Sequence, residues 1–112
     1  MRGLNKVTLI GNLGKEPENQ KLTGDIAVSK FTLATTETFK GPNGQTTSKT
    51  EWHTVVAWRS LADLAAKYLQ KGSLVYVEGK LKTRQFEDKE GKTRYTTEVI
   101  AEQLIMLDKK ND

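Results

Sequence analysis

Apolar and polar residues alternate along most of this chain, and the period changes once. In KVTLIGNL, residues 6–13, Val7, Leu9 and Leu13 fall on one side and Lys6, Thr8 and Asn12 on the other, which predicts a half-buried strand. Gly14 and Pro17 in GKEPEN then predict a loop. A second strand is expected from Asp25 to Thr38. Its apolar parity changes from Ile26 and Val28 to Phe31 and Leu33, and a shift of that kind predicts a bulge that bends the sheet toward closure. KGPNGQTTSK, residues 40–49, sets two glycines and a proline among polar residues and reads as a long exposed hairpin loop. TEWHTVVAW begins a third strand over residues 50–59.

The period then becomes helical. Leu61, Leu64, Ala65 and Tyr68 follow the i, i+3, i+4, i+7 pattern. Ser60 is placed as N-cap, Asp63 in the capping-box position and Gly72 as the stop, so one short helix is expected. SLVYVEGKLKTRQF (73–86) and TRYTTEVIAEQLIML (93–107) read as two further strands joined by the turn EDKEGK. The order is β-β-β-α-β-β. Long strands with shifting parity, in a chain of 112 residues, predict an all-β fold with one short helix, a five-stranded OB-fold barrel, rather than a sandwich. The OB-fold domain is expected over 1–107, with 108–112 a short C-terminal remnant expected to be disordered.

Composition narrows the chemistry. There is no cysteine and one histidine, which removes disulfides, thiolate zinc sites and a cysteine nucleophile. The apolar runs are too short to cross a bilayer and the first residues lack a signal-peptide layout, so no membrane association is expected and the location is cytoplasmic by default. The net charge of +4 leans mildly toward polyanions. No phosphate-binding glycine loop, nucleophile elbow or metal-ligand spacing is present. The tightest acidic cluster, Glu87, Asp88 and Glu90, reads as a solvated hairpin tip. No enzyme and no cofactor are expected.

The positive signal lies in two strands. Lys80, Lys82, Arg84 and Phe86 share one face of the fourth strand, three cations followed by an aromatic. In the third, Trp52, Thr54, Val56 and Trp58 share a parity, with Glu51, His53, Val55 and Ala57 opposite. The two indoles would lie about 20 Å apart along a strand that rises about 3.3 Å per residue. Single-stranded nucleic acid asks for this combination. Its bases stack on aromatic faces, at about 1–3 kcal/mol per base, and its phosphates need cations along the same track. Phe31, Tyr68 and Tyr76 read as packing residues. Stacking is favoured for Trp52 and Trp58, with burial in the core as the alternative.

NKVTLIGNLGKEPE, FTLATTETF, TEWHTVVAW, YLQKGSLVYVEGKLKTRQF and RYTTEV, in this order and spacing, together resemble the bacterial-type single-stranded DNA-binding protein family, from Arg2 to about Val99. The resemblance implies an OB-fold homotetramer that wraps and protects single-stranded DNA in replication, recombination and repair, in the bacterial cytoplasm or nucleoid. By position, the stacking aromatics fall on Phe39, Trp52, Trp58 and Phe86. The family more often has Trp at the first and last of these and Phe at Trp58. The matching cations are Arg2, Lys71, Lys82, Arg84 and Arg94; Lys6, Lys40, Lys49 and Arg59 are added on charge and neighbourhood. His53 matches a histidine of the subunit interface. The family usually continues into a flexible linker and an acidic tip, whereas this chain stops at LDKKND, so no tail-mediated partner is expected from it. The alternatives are a dimeric primosomal replication accessory protein, a protein-docking OB module, and an OB-fold nuclease, which would need an acidic metal site.

Overall fold

The structure, a computed structural model, describes residues 2–108. Of the expected terminal remnant, all but Asp108 therefore lies outside the described residues. The elements are β1 (Val7–Leu13), β2 (Glu18–Leu22), β3 (Ile26–Lys40), β4 (Thr46–Trp58), α1 (Ser60–Tyr68), β5 (Leu74–Glu87) and β6 (Thr93–Met106).

Five of the strands close a ring. β1 pairs with β5, β5 with β6, β6 with β4 and β4 with β3, and β3 returns to β1 through Asn12↔Ala34 and Leu13↔Leu33. The ladders are antiparallel except for the β4–β6 joint, Val55↔Val99 and Val56↔Ile100. This is the expected OB-fold barrel, with the helix between its third and fourth barrel strands. Leu33, Val55, Ala57, Val75 and Val77 fill the interior, and α1 packs against β3, β4 and β6 with Ala62 and Ala65 buried. Burying each valine or leucine is worth roughly 1.5–3 kcal/mol, so these positions set the strand register.

β2 is an element that alternation did not reveal. ENQKL is polar but for Leu22 and exposed throughout, and only its ladder to β3, from Glu18↔Lys30 to Leu22↔Ile26, makes it a strand. The bulge expected in β3 is not found there. The β3–β4 register runs unbroken from Val28↔Trp58 to Lys40↔Thr46, and Ser29, Phe31 and Leu33 are all buried on one parity. Ser29 hides this, because its hydroxyl occupies a core position and is satisfied by donating to Asn19 Oδ1 at 2.7 Å. Ile26 and Val28 belong to the opposite, outer face. The register shift lies instead between Glu78 and Gly79, where the β6 partner changes from Gln103 to Ala101.

The entry to α1 also differs from expectation. Arg59, not Ser60, is the N-cap, and among the described residues it has no side-chain capping hydrogen bond. The Asp63 N–H donates to the Arg59 carbonyl at 3.0 Å, and the Arg59 N–H is held by the Ala27 carbonyl at 2.8 Å. The chain thus turns from strand into helix within one residue, which places Ser60 inside the first turn and leaves the capping box unformed. Tyr68, expected to pack, is 52% exposed, with the Lys67 ammonium 5.3 Å from its ring centre; Leu69 takes the buried place. Leu69 is already extended, so the helix ends before Gly72, whose N–H donates to the Leu13 carbonyl at 2.9 Å as the chain turns into β5.

That sharp entry costs strain. Arg59 sits at φ 57, ψ −122, a region that side chains other than glycine occupy at about 1–3 kcal/mol. Arg59→Gly is expected to stabilise the fold by about 1 kcal/mol after the added freedom of the unfolded chain is subtracted. A higher urea midpoint with unchanged slope is the expected reading, and a lower midpoint contradicts the strain argument.

Two long hairpins project from the barrel. β3 and β4 stay paired to Lys40↔Thr46, so half of the expected 40–49 loop is strand and the turn is confined to residues 41–45. The β5–β6 hairpin closes through Asp88, whose N–H donates to the Lys92 carbonyl at 2.9 Å. Asp88 Oδ2 accepts from Arg94 Nε at 2.8 Å and Oδ1 from the N–H groups of Glu90 and Lys92. Arg94 first, and then these amides, hold the Asp88 carboxyl below its ordinary value. Of the acidic cluster at this tip, Asp88 is the residue that forms the turn.

Candidate nucleic-acid interface

Strand parity places the two tryptophans outside the core. His53, Val55 and Ala57 face inward, the last two fully buried, while Trp52 is 60% and Trp58 39% exposed on the opposite face. Phe39 and Phe86 are also exposed. Neither indole is a core anchor.

A groove of about 470 Å³ crosses the outer face of the sheet, from β5 over β6, β4 and β3 to a wall made by β2. Trp58, Val56, Val28 and Ile100 give it an apolar floor, and Lys30, Lys82 and Arg84 line it with positive charge. Phe86 follows Arg84 on the same face of β5, with the guanidinium carbon 5.8 Å from its ring centre. Trp58, Lys82, Arg84 and Phe86 are therefore brought together. Trp52 lies further along the outer face of β4, over a shallow depression formed by Gly14, Lys15 and Thr32. A side chain at position 14 would run into the Trp52 ring, so this glycine makes the seat for the indole.

The other expected residues are more dispersed. Phe39 pairs with Thr47 and, by register, shares its face with Glu37, Lys49 and His53, opposite the tryptophans. Lys40 is on the tryptophan parity at the far end of the β3–β4 hairpin. Arg94 stands across from Phe86 and is engaged by Asp88. Lys6 pairs with Glu78 at 3.4 Å on the β1–β5 side of the barrel. Arg59 lines a separate cleft with Lys21, Asp25, Ser60 and Asp63. Lys71 lies in the turn after α1, its backbone N–H donating to Glu16, and Arg2 is exposed ahead of β1. His53 Nε2 is 2.9 Å from the Thr35 hydroxyl.

Sequence reasoning missed Lys30, Glu98, Val28 and Ile100 in the groove. A signal for Val28 existed in the apolar residues off parity in β3, which read as a bulge. Lys30 alternates with Val28 on that face. Glu98 gave no signal: it is only 5% exposed, yet it is a carboxylate beside three cations. What the arrangement offers is a solvent-open apolar track flanked by ammonium and guanidinium groups. Flat aromatic ligands that carry phosphates match it.

Comparison with known proteins agrees with this chemistry. Residues 4–107 match the model of the single-strand binding protein family. The chain is 48% identical over 111 residues to single-stranded DNA-binding protein 1 of Chlorobaculum tepidum, covering 98% of this chain and 68% of that protein. It is 42% identical over 109 residues to a single-stranded DNA-binding protein of Neisseria meningitidis serogroup A, covering 97% of this chain and 63% of that protein. The chain thus spans about two thirds of the length of these relatives. A solved Plasmodium falciparum SSB complex with single-stranded DNA superposes with a TM-score of 0.87 at 39% identity, over 96% of this chain and 98% of that one.

Proposed function

Because the chain belongs to the single-strand binding protein family, we propose that it binds, wraps and protects single-stranded DNA without sequence preference, as a homotetramer, with no chemical step of its own. The observation that carries this reading is the groove in which Trp58 lies beside Lys82, Arg84 and Lys30. An exposed indole supplies a π-face for any base, and the cations supply a salt-dependent attraction for any phosphate. Its setting would be replication, recombination and repair in the bacterial cytoplasm. Among the described residues no helix is long and apolar enough to cross a membrane.

Self-association has its own support. Ile10 pairs with Tyr76, and Tyr76 with Ile105, forming an apolar row across the outside of β1, β5 and β6. Ile10 is 56% and Ile105 43% exposed, and a row of this kind favours burial against another copy. His53, on the inward parity of β4 but only half-buried, would contribute at a second subunit contact where the β3–β4 hairpin extends past the core.

The test is a titration with dT oligomers of increasing length, following tryptophan emission at two salt concentrations, with light scattering on the same samples. Quenching by single strands, poor competition by duplex and a mass of four chains are the expected results. Equal affinity for duplex would overturn the reading, and a mass of two chains would favour the dimeric accessory protein.

A further inference from the structure

A buried carboxylate on the floor of a groove for a polyanion calls for a reason. The Glu98 side chain is 7% exposed, whereas those of Arg84 and Lys30 are 49% and 45% exposed. Glu98 Oε1 accepts from Arg84 Nε at 3.1 Å and Oε2 from Arg84 Nη2 at 3.3 Å. Lys30 Nζ lies 3.6 Å from Oε2. One acid on β6 therefore holds a cation from β5 and another from β3, across the floor of the groove. Placing a negative charge here weakens the groove's attraction for phosphate, and desolvating it is unfavourable.

The geometry of the pair indicates what is gained. Of the five N–H donors of an arginine, the fork to Glu98 uses one on Nε and one on Nη2. The other three are directed away from the carboxylate. The guanidinium plane is thereby fixed beside the Phe86 ring, on the face of β5 that also carries Lys82. An unpaired surface arginine would sample many rotamers and lose that freedom on binding.

We propose that Glu98 is a positioning residue for DNA: it orders the Arg84 guanidinium and the Lys30 ammonium before the strand arrives, so that Arg84 presents a preset fork to a phosphate crossing between Trp58 and Phe86. The inference rests on the single-stranded DNA reading of the groove. It opposes plain electrostatics in sign, since removing one negative charge from a polyanion site should otherwise tighten binding.

The experiment measures affinity for a dT oligomer, at a fixed salt concentration of about 0.2 M, for the unmodified chain, Glu98→Gln, Arg84→Lys and the double variant. Glu98→Gln is expected to weaken binding about tenfold, the scale of one charge-assisted hydrogen bond lost. Arg84→Lys keeps the charge but cannot fork, and is expected to lose a similar factor. In the E98Q background it should cost less than about twofold more, because the two changes remove the same feature. Equal or tighter binding by a folded Glu98→Gln variant overturns the proposal, as does full additivity of the two changes. Should Glu98→Gln fail to fold by circular dichroism, Arg84→Lys decides alone: its side chain is half exposed, and unchanged affinity refutes the preset fork. If the unmodified chain does not bind dT, the reading of the groove has failed instead.

Discussion

Gly11→Val is expected to unfold the barrel or leave it marginal. Gly11 lies on β1, paired with Val75 of β5, one residue before the Asn12↔Ala34 pair that opens the seam with β3. A Cβ placed there would overlap the Ala34 carbonyl oxygen, stand 3.0 Å from the carbonyl carbon and 3.2 Å from Leu33 Cγ. The obstacle is backbone, so no rotamer change relieves it. Relief requires parting β1 from β3, and two residue pairs make that closure. Overpacking alone costs about 1–3 kcal/mol; opening the seam also exposes Leu13 and Leu33, at roughly 1.5–3 kcal/mol each if fully lost. Against a typical total of about 5–15 kcal/mol, this removes much of the stability. Urea unfolding followed by tryptophan emission measures it, with Gly11→Ala falling between. An unchanged midpoint for Gly11→Val would show that the seam can yield and that closure contributes little.

What could be read from the chain and what could not divides along physical lines. Positions whose side chains meet one environment throughout were legible: Val7, Leu9 and Leu13 on β1, and the split of β4 into a tryptophan face and a Val55–Ala57 face. Where burial is mixed, polarity misled. Ser29 is a hydroxyl in the core, satisfied by Asn19, so the true inward series in β3 looked broken. Val28 is apolar on the outer face because the groove floor is apolar there, which completed the false impression of a bulge. β2 has no buried face and thus no alternation to detect. Tyr68 fitted the helical period but points to solvent, since Leu69, just beyond the helix, fills the core instead. The candidate site was legible where it is aromatic, because Trp52 and Trp58 stand on one parity of a single strand whose other face carries Val55 and Ala57. It was not legible where it depends on strands remote in sequence, and Lys30, Arg84 and Glu98 meet only when the barrel is closed.

Trp52→Ala and Trp58→Ala are each expected to weaken binding to dT oligomers by about 1–3 kcal/mol, roughly five- to 150-fold, while the barrel stays folded. Trp52 is 60% exposed and rests on Gly14 rather than in the core, so its removal should move the unfolding midpoint by less than about 0.5 kcal/mol equivalent. Trp58 is part of the groove floor and its removal should cost somewhat more stability. A large loss of stability with unchanged affinity would return the indoles to a packing role. Gly14→Val provides a check that retains both tryptophans: it displaces the Trp52 ring from its seat, so affinity should fall while the emission signal survives. Phe39 extends the argument, because it lies on the other face of the β3–β4 hairpin from both tryptophans. A strand that stacks on Trp58 and on Phe39 must pass around the hairpin or approach Phe39 from another subunit. Phe39→Ala should therefore leave the affinity of the shortest binding oligomers unchanged and weaken only longer ones, whereas Trp58→Ala weakens both. The same loss from Phe39→Ala at every length would mean that one short segment reaches both faces, which the β3–β4 register does not permit on a straight path.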